Sequence, residues 1–184
     1  MMTLKNKLLR DGTGMDKDRM FKAELRSAVQ AFNFQFFDLA DRMFEEIIKR
    51  YGQRVGYTES EIENFHKGGH RVRQVKRLSE AASKYSIMAE VVGAKHCNSG
   101  HVVGQTFTLD VDGNFITKLC PKKMCVYLIS QLSIPVALIN ERLSEGLEPN
   151  DFHFMRYVRC PDAGVECYGY GEVMVKVKVV PRAK

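Results

Sequence analysis

The sequence predicts an α+β protein: a helical N-terminal region over residues 1–85, then a small, mostly antiparallel sheet covered by one broken helix over residues 86–184. Two observations support this prediction. In the first half, apolar residues recur every three to four positions, which is the period of one helix face. In the second half they alternate with polar residues in short runs bounded by Gly, Pro and Asn, as in strands. With 184 residues and 45% hydrophobic content, the chain is long enough to bury a core.

The first predicted element is a long helix that follows Asp16, a good N-cap residue, and ends near Gly52. Its main apolar face consists of Phe21, Leu25, Val29, Phe32, Phe36, Leu39, Met43, Ile47 and Tyr51. A second apolar face adds Phe34, Phe37, Phe44 and Ile48. Because a solvent-facing helix is apolar on one side only, we expect this region either to pack deeply under later helices or to form a homo-oligomer.

Two shorter helices are predicted next. Thr58 and Glu61 have the spacing of a capping box, which starts a helix that ends at Gly68-Gly69; the next helix covers residues 70–84. Six Lys or Arg residues lie within residues 67–84, and such a segment can bind nucleic acids or acidic ligands. An apolar stripe along the same helix favours a solvated basic face instead, so we expect no nucleic-acid partner.

The second half contains four predicted strand segments and one helix. The helix covers Lys122 to Leu143, is broken by Pro135 and is terminated by Gly146. The strand segments are SIMAEVVGA, the hairpin QTFTLDVDGNFIT, HFMRYVR and VMVKVKVV. The turn of the hairpin is centred on Asp112-Gly113.

The cysteine count predicts a reducing compartment. Five cysteines are an odd number, in a chain too long to need a disulfide framework. The first residues fit neither a secretory signal nor a membrane span. We therefore expect a cytoplasmic protein with free thiols and no membrane association.

Thiols and one imidazole occur at the breaks between predicted elements, beside Gly, Pro and Asn, and this placement predicts that distant loops meet at one site. The residues are Cys97, His101, Cys120, Cys160 and Cys167. Because Cys120 directly precedes Pro121, it is expected to occupy the N-cap of the following helix, whose N–H groups would lower its thiol pKa. Cys120 is thus the first candidate nucleophile, and Cys125, further along the helix, is expected to be a packing residue.

Three interpretations of this set stay open. In the first, Cys97, His101, Cys120 and Cys160 bind a metal ion, for which Zn²⁺ is suited. In the second, Cys120 is a nucleophile, His101 its base and Asp162 the residue that orients the base. In the third, the cysteines are small apolar residues that fill the core.

The residues around the last two cysteines are candidates for ligand binding. Arg156 and Arg159 would suit a carboxylate or phosphate. Tyr168 and Tyr170 lie among glycines that let the backbone approach a ligand closely. No strand-linked Gly-x-Gly-x-x-Gly, Walker, Gly-x-Ser-x-Gly or His-Glu-x-x-His motif is present, so we expect no nucleotide cofactor and neither serine-hydrolase nor metalloprotease activity.

The order of motifs over residues 86–180 resembles a family of short, uncharacterised prokaryotic proteins found often in anaerobes. The matching residues are Cys97, Gly100-His101, Val103-Gly104, Phe107, Leu119-Cys120 and Cys160-Pro161-Asp162. This resemblance implies a Cys-containing α+β protein and no particular activity.

The helical half resembles the start of the L-2-amino-thiazoline-4-carboxylate hydrolases, through AVQAFNFQFFDLADRMFEEIIKRYGQRVGY. The resemblance implies hydrolysis of a cyclic amidine or thiazoline-like substrate, and it assigns no catalytic residue. The sequence thus predicts a cytoplasmic small-molecule enzyme of hydrolase or lyase type with a Cys/His centre. The alternative is a non-catalytic metal- or ligand-binding module that dimerises through its long helix.

Overall fold

A computed structural model describes residues 17–182, excluding the side chains of residues 17–20, 34, 35, 37, 38 and 40. The predicted N-cap Asp16 lies outside the described residues. The chain divides into two compact units, the first ending at Glu46 and the second beginning at Ile47. The predicted domain boundary at residue 85 therefore differs from this division, because residues 47–85 belong to the second unit together with the sheet.

Helix α1 covers Lys17–Val55 and contributes to both units. It runs past Gly52, where we expected it to end, and Gly56 follows it with a φ of 82°. Within the first unit, its main apolar face is more than half exposed in the single chain, at Phe21, Leu25, Val29, Phe32, Phe36, Leu39 and Met43. Of the second apolar face, Ile48 is buried, and the side chains of Phe34 and Phe37 lie outside the described set. An oligomer that covers the first face stays a prediction.

The second unit starts with the end of α1, followed by α2, Glu59–His66, and α3, Gly69–Ala82. The predicted capping box is confirmed: the Thr58 N–H donates to Oε2 of Glu61 at 2.7 Å, and the Glu61 N–H donates to the Thr58 hydroxyl at 3.4 Å. The Thr58 N–H also lowers the pKa of the Glu61 carboxyl. Helix α3 packs against α5, Ser133–Glu145, and joins it through a Gln74–Asn140 hydrogen bond of 3.3 Å.

The sheet confirms the α+β class. It contains β1, Tyr85–Lys95, β2, Thr106–Leu109, β3, Tyr157–Arg159, and β4, Glu172–Pro181, in the antiparallel order β2-β1-β4-β3. Alternate residues of β4 are buried: Val173, Val175, Val177 and Val179. This period-two alternation shows that one face of the sheet covers the core.

The helix that covers the sheet begins later than we expected. It consists of α4, Val126–Ile129, a 3₁₀ turn and then α5. The predicted start at Lys122 is wrong, and Pro135 does not break the helix because it lies in the first turn of α5, where its missing N–H is not needed. Gly146 ends α5 with a φ of 71°, as predicted. Leu128, Leu132 and Ile139 are buried against the strands.

Two predicted strand segments are shorter than expected. The hairpin ladder stops at Leu109 and resumes only as one bridge to Phe115, because a turn at Asp110–Asn114 intervenes. In HFMRYVR only β3 is extended, since Met155 has a φ of 58°. No helix in the described part of the chain has both the length and the apolarity needed to cross a membrane.

Candidate functional site

Three cysteines line one open cavity of about 470 Å³ at an end of the sheet, and we call it the three-cysteine cavity. They are Cys97, Cys125 and Cys160. Other lining residues include Asn98, Ser99, Tyr127, Asp162 and Tyr170. The predicted convergence of loops is therefore found for Cys97, Cys160 and Asp162, and Cys125 joins them in place of Cys120.

Three loops bring these thiols together. After β1, His96 takes a φ of 54° and a turn closes from the Gly100 N–H to the Cys97 carbonyl at 2.9 Å. Cys160 follows β3, and its N–H donates to the Val173 carbonyl of β4 at 2.8 Å. Cys97 and Cys160 thus lie just after β1 and β3, and Cys125 comes from the start of α4.

The Asp162 carboxylate organises the loop between β3 and β4. It accepts hydrogen bonds from the N–H groups of Gly164 and Tyr170, each at 3.0 Å, and of Gly171 at 3.4 Å. The Gly164 N–H is the largest influence and lowers the pKa of Asp162, burial acts weakly in the opposite direction, and the other two N–H groups lower it further. Asp162 was predicted to orient His101; here its oxygens bind backbone N–H groups of its own loop.

Two glycines allow this loop to close on β1. A Cβ at Gly169 would overlap the Asp162 carboxylate and approach the Gly164 nitrogen to 2.8 Å. A Cβ at Gly171 would overlap the carbonyl of His96. Gly169 and Gly171 therefore serve close packing of one backbone segment against another.

Cys125 lies at the start of a helix and has a lowered thiol pKa. It occupies the N-cap of α4. Burial, the largest influence, raises its pKa, but the backbone N–H of Leu128, the side chain of Ser99 and the backbone N–H of Tyr127 together outweigh it, so the pKa is lowered. The N–H groups make no regular capping hydrogen bond; they act on the sulfur as nearby positive dipoles.

The prediction that Cys120 caps a helix is wrong. Cys120 follows a 3₁₀ turn, Thr117–Leu119, in extended conformation. Its sulfur accepts from the N–H of Thr108 and donates to the Thr108 carbonyl, each at 3.4 Å. No helix begins at Pro121, and four further residues separate this proline from the first residue of α4. Cys120 thus hydrogen bonds to the backbone of β2, and it is not among the residues that line the three-cysteine cavity.

His101 lies apart from the lining residues and is only 3% exposed. Its Nδ1 hydrogen bonds to Oε1 of Gln105 at 3.2 Å, and its ring meets that of Phe107 edge to face at 5.3 Å. Its Nε2 has no hydrogen-bond partner. These contacts describe a histidine that anchors the turn before β2.

No group of three or more His, Cys, Asp or Glu residues within residues 17–182 is arranged to hold a metal ion. The zinc site predicted from Cys97, His101, Cys120 and Cys160 has no counterpart in the described geometry.

The other predicted ligand-binding residues are dispersed. Arg156 donates to the carbonyls of Asn150 and Phe152, at 2.6 and 2.7 Å, and Arg159 pairs with Glu172. Tyr170 lines the three-cysteine cavity, whereas Tyr168 is fully exposed, with a φ of 62°.

The fifth cysteine, Cys167, is exposed and lines a separate cavity of about 110 Å³. It therefore offers an exposed thiol for comparison with the three in the larger cavity.

Comparisons with known proteins found no matching family model, and no significantly similar curated protein or solved structure. The two family resemblances of the sequence therefore remain predictions.

Proposed function

We propose that the protein is an enzyme that binds a small molecule in the three-cysteine cavity and attacks it with the thiolate of Cys125. The observation that carries the proposal is the position of Cys125: a partly buried thiol with a lowered pKa faces a cavity of about 470 Å³. A thiolate is the nucleophilic form of cysteine, so a lowered pKa increases the reactive fraction near neutral pH.

The reaction type that we propose is hydrolysis of a cyclic amidine or thiazoline-like substrate. The Cys125 thiolate would attack the amidine carbon, and the ring C–S bond would break with its electron pair leaving on the substrate sulfur, which takes up a proton. Water would then add to the same carbon and break its bond to Cys125, which releases the ring-opened product and a proton and restores the thiolate. Ser99, beside the Cys125 sulfur, offers a hydroxyl that can hydrogen bond to the thiolate. Asn98 and Tyr127 in the wall can bind polar groups of the substrate.

The experiment incubates the purified chain with L-2-amino-thiazoline-4-carboxylate and measures the thiol that ring opening releases. Wild type is expected to turn over, and Cys125→Ser to lose at least about a hundredfold in rate, because serine is a far weaker nucleophile without a base. Cys167→Ser is the matched control and should retain activity. Turnover that survives in Cys125→Ser would contradict the assignment of the nucleophile.

A zinc-binding module remains the alternative function. The three thiols that line the cavity are soft ligands of the kind that suits Zn²⁺. As described they are not arranged to hold a metal ion, so binding would require their loops to bring them closer. Metal analysis of protein purified without chelators tests it: one zinc per chain, lost in both Cys97→Ala and Cys160→Ala, would favour the module over the enzyme.

We also propose that the chain forms a cytoplasmic homo-oligomer through the exposed apolar face of α1. The face is regular over more than 20 residues, at i, i+3 and i+4 spacings. Phe32→Glu should lower the mass measured by light scattering to that of a monomer, whereas Glu24→Gln should not. An unchanged mass in Phe32→Glu would contradict this interface.

A further inference from the structure

A second cavity, of about 550 Å³, opens among the helices of the second unit and shares no lining residue with the three-cysteine cavity. Three arginines line it, Arg50 and Arg54 from α1 and Arg71 from α3. We call it the arginine cleft. Asp112 is the one acidic residue among the lining residues, and it pairs with Arg54.

Aromatic rings hold two of the three guanidinium groups. Arg54 lies over the ring of Tyr51, 5.4 Å from the ring centroid, and Arg71 lies over Phe65 at 5.3 Å. The two rings stack on each other with centroids 5.6 Å apart. Stacking on a ring fixes the plane of a guanidinium while leaving its N–H edge available to a ligand.

The existing ion pair leaves the cleft with excess positive charge. Arg54 meets Asp112 at 3.4 Å, but the Arg54 side chain is 62% exposed, so the pair is weak and easily exchanged. Arg71 adds a further positive charge to the lining. A ligand with negative charge would therefore complete the charge balance of the cleft.

The rest of the wall indicates the shape of such a ligand. Val75, Leu78 and Ala82 present an apolar surface from α3. Gln74 and Asn140 present a pair of amides that are already hydrogen bonded to each other at 3.3 Å. Oxyanions match the two-pronged donor edge of arginine, and an apolar body would cover the α3 surface.

We propose that the arginine cleft binds a small organic anion, with its phosphate or carboxylate group held by Arg54 and Arg71 and its apolar body against α3. The basic residues of α3 looked in the sequence like a solvated face. Arg71 is exposed, as that face requires, but it also lies over Phe65 and lines a cavity.

Calorimetric titration of the full chain with phenyl phosphate, phenylacetate and benzyl alcohol tests this proposal, in about 20 mM salt so that screening is weak. Phenyl phosphate and phenylacetate share the oxyanion chemistry, and their relative affinities distinguish a phosphate ligand from a carboxylate. Benzyl alcohol should not bind, because it lacks the charge. Cys125→Ser should bind the anions as wild type does, which separates this site from the proposed enzyme site.

Arg71→Gln should weaken binding of phenyl phosphate by about tenfold or more, since it removes a charged hydrogen-bond donor. Arg73→Gln is the matched control: it makes the same charge change on the same helix, but Arg73 pairs with Glu145 outside the cleft and should alter affinity by less than about twofold. Arg54→Gln provides a second test if Arg71→Gln fails to fold, as judged by its circular dichroism.

Three results would overturn the proposal. The first is that neither anion binds to wild type. The second is that Arg73→Gln loses as much affinity for phenyl phosphate as Arg71→Gln does. The third is that a single-stranded oligonucleotide binds more tightly than phenyl phosphate and that both variants lose oligonucleotide affinity equally. The last two results would indicate a general basic surface in place of a defined site.

Discussion

The three-cysteine cavity and the arginine cleft lie in the same compact unit but are built in different ways. Loops after β1 and β3 and the start of α4 form the first, and its shape depends on glycines whose backbones touch other backbones. Helices α1, α2 and α3 form most of the second, and its charges are positioned by aromatic rings.

This difference determines how each cavity should respond to substitution. The loop-built cavity tolerates little added volume at its glycines, because an added methyl group there meets a carbonyl or a carboxylate that cannot move independently. A helix-built cleft is lined by side chains on stable elements, so a side chain can change there while the backbone stays in place. We therefore expect stability effects at the first cavity and affinity effects at the second.

The largest expected effect is that of Gly171→Ala. The new methyl group would overlap the His96 carbonyl, so the free energy of unfolding should fall by about 1–3 kcal/mol, as in overpacked sites. Gly69→Ala is the control, since nothing lies within 4 Å of its Cβ position in α3, and its effect should be neutral or slightly stabilising. Denaturant titration measures both. Equal stability of the two variants would show that the loop does not contact His96 as described.

A smaller effect is expected from Asp162→Asn, which removes the charge that three backbone N–H groups share. Because the folded pKa of Asp162 is lowered, the ionised carboxylate stabilises the folded state above its unfolded pKa of about 3.9. This stability is lost as the pH falls through the lower folded pKa. The difference in thermal midpoint between wild type and Asp162→Asn should therefore be largest near neutral pH and become smaller in acid. A difference that is unchanged at low pH would contradict this role.

The smallest effect on stability is expected at Asp112, in the arginine cleft. Asp112→Asn breaks an exposed ion pair, so the free energy of unfolding should change by less than about 1 kcal/mol. The same change removes the anion that competes for Arg54, and phenyl phosphate should bind a few-fold more tightly, by up to about 1 kcal/mol. Weaker binding in Asp112→Asn would indicate that the carboxylate helps to hold the ligand.

The sequence predicted the fold class, the capping box at Thr58 and the end of α5 at Gly146 from local signals. Each of these depends on residues close in the chain. Two strand segments were overestimated, because a turn at Asp110–Asn114 interrupts the hairpin and a positive φ at Met155, which no residue type marks, turns the chain before β3.

The site was partly predictable. Gly, Pro and Asn beside Cys97 and Cys160 indicated loops, and those two thiols line the same cavity. The proline after Cys120 predicted a helix start there, but Cys120 follows a 3₁₀ turn and a nonhelical segment separates it from α4. The apolar run that begins after Cys125 was the signal that could have identified the true N-cap. The arginine cleft was not predicted, since only the fold turns Arg71 towards Phe65.

Alkylation of the native chain, with each cysteine followed by mass spectrometry across a range of pH, tests the central claim most directly. We expect Cys125 to react at least about ten times faster than Cys167 at neutral pH, although Cys167 is the more exposed thiol. The alkylation rate of Cys125 should reach half its maximum at a pH below about 8.5, which is the pKa of a free thiol. A Cys125 that reacts no faster than Cys167, with an ordinary midpoint, would contradict the assignment of an activated thiolate.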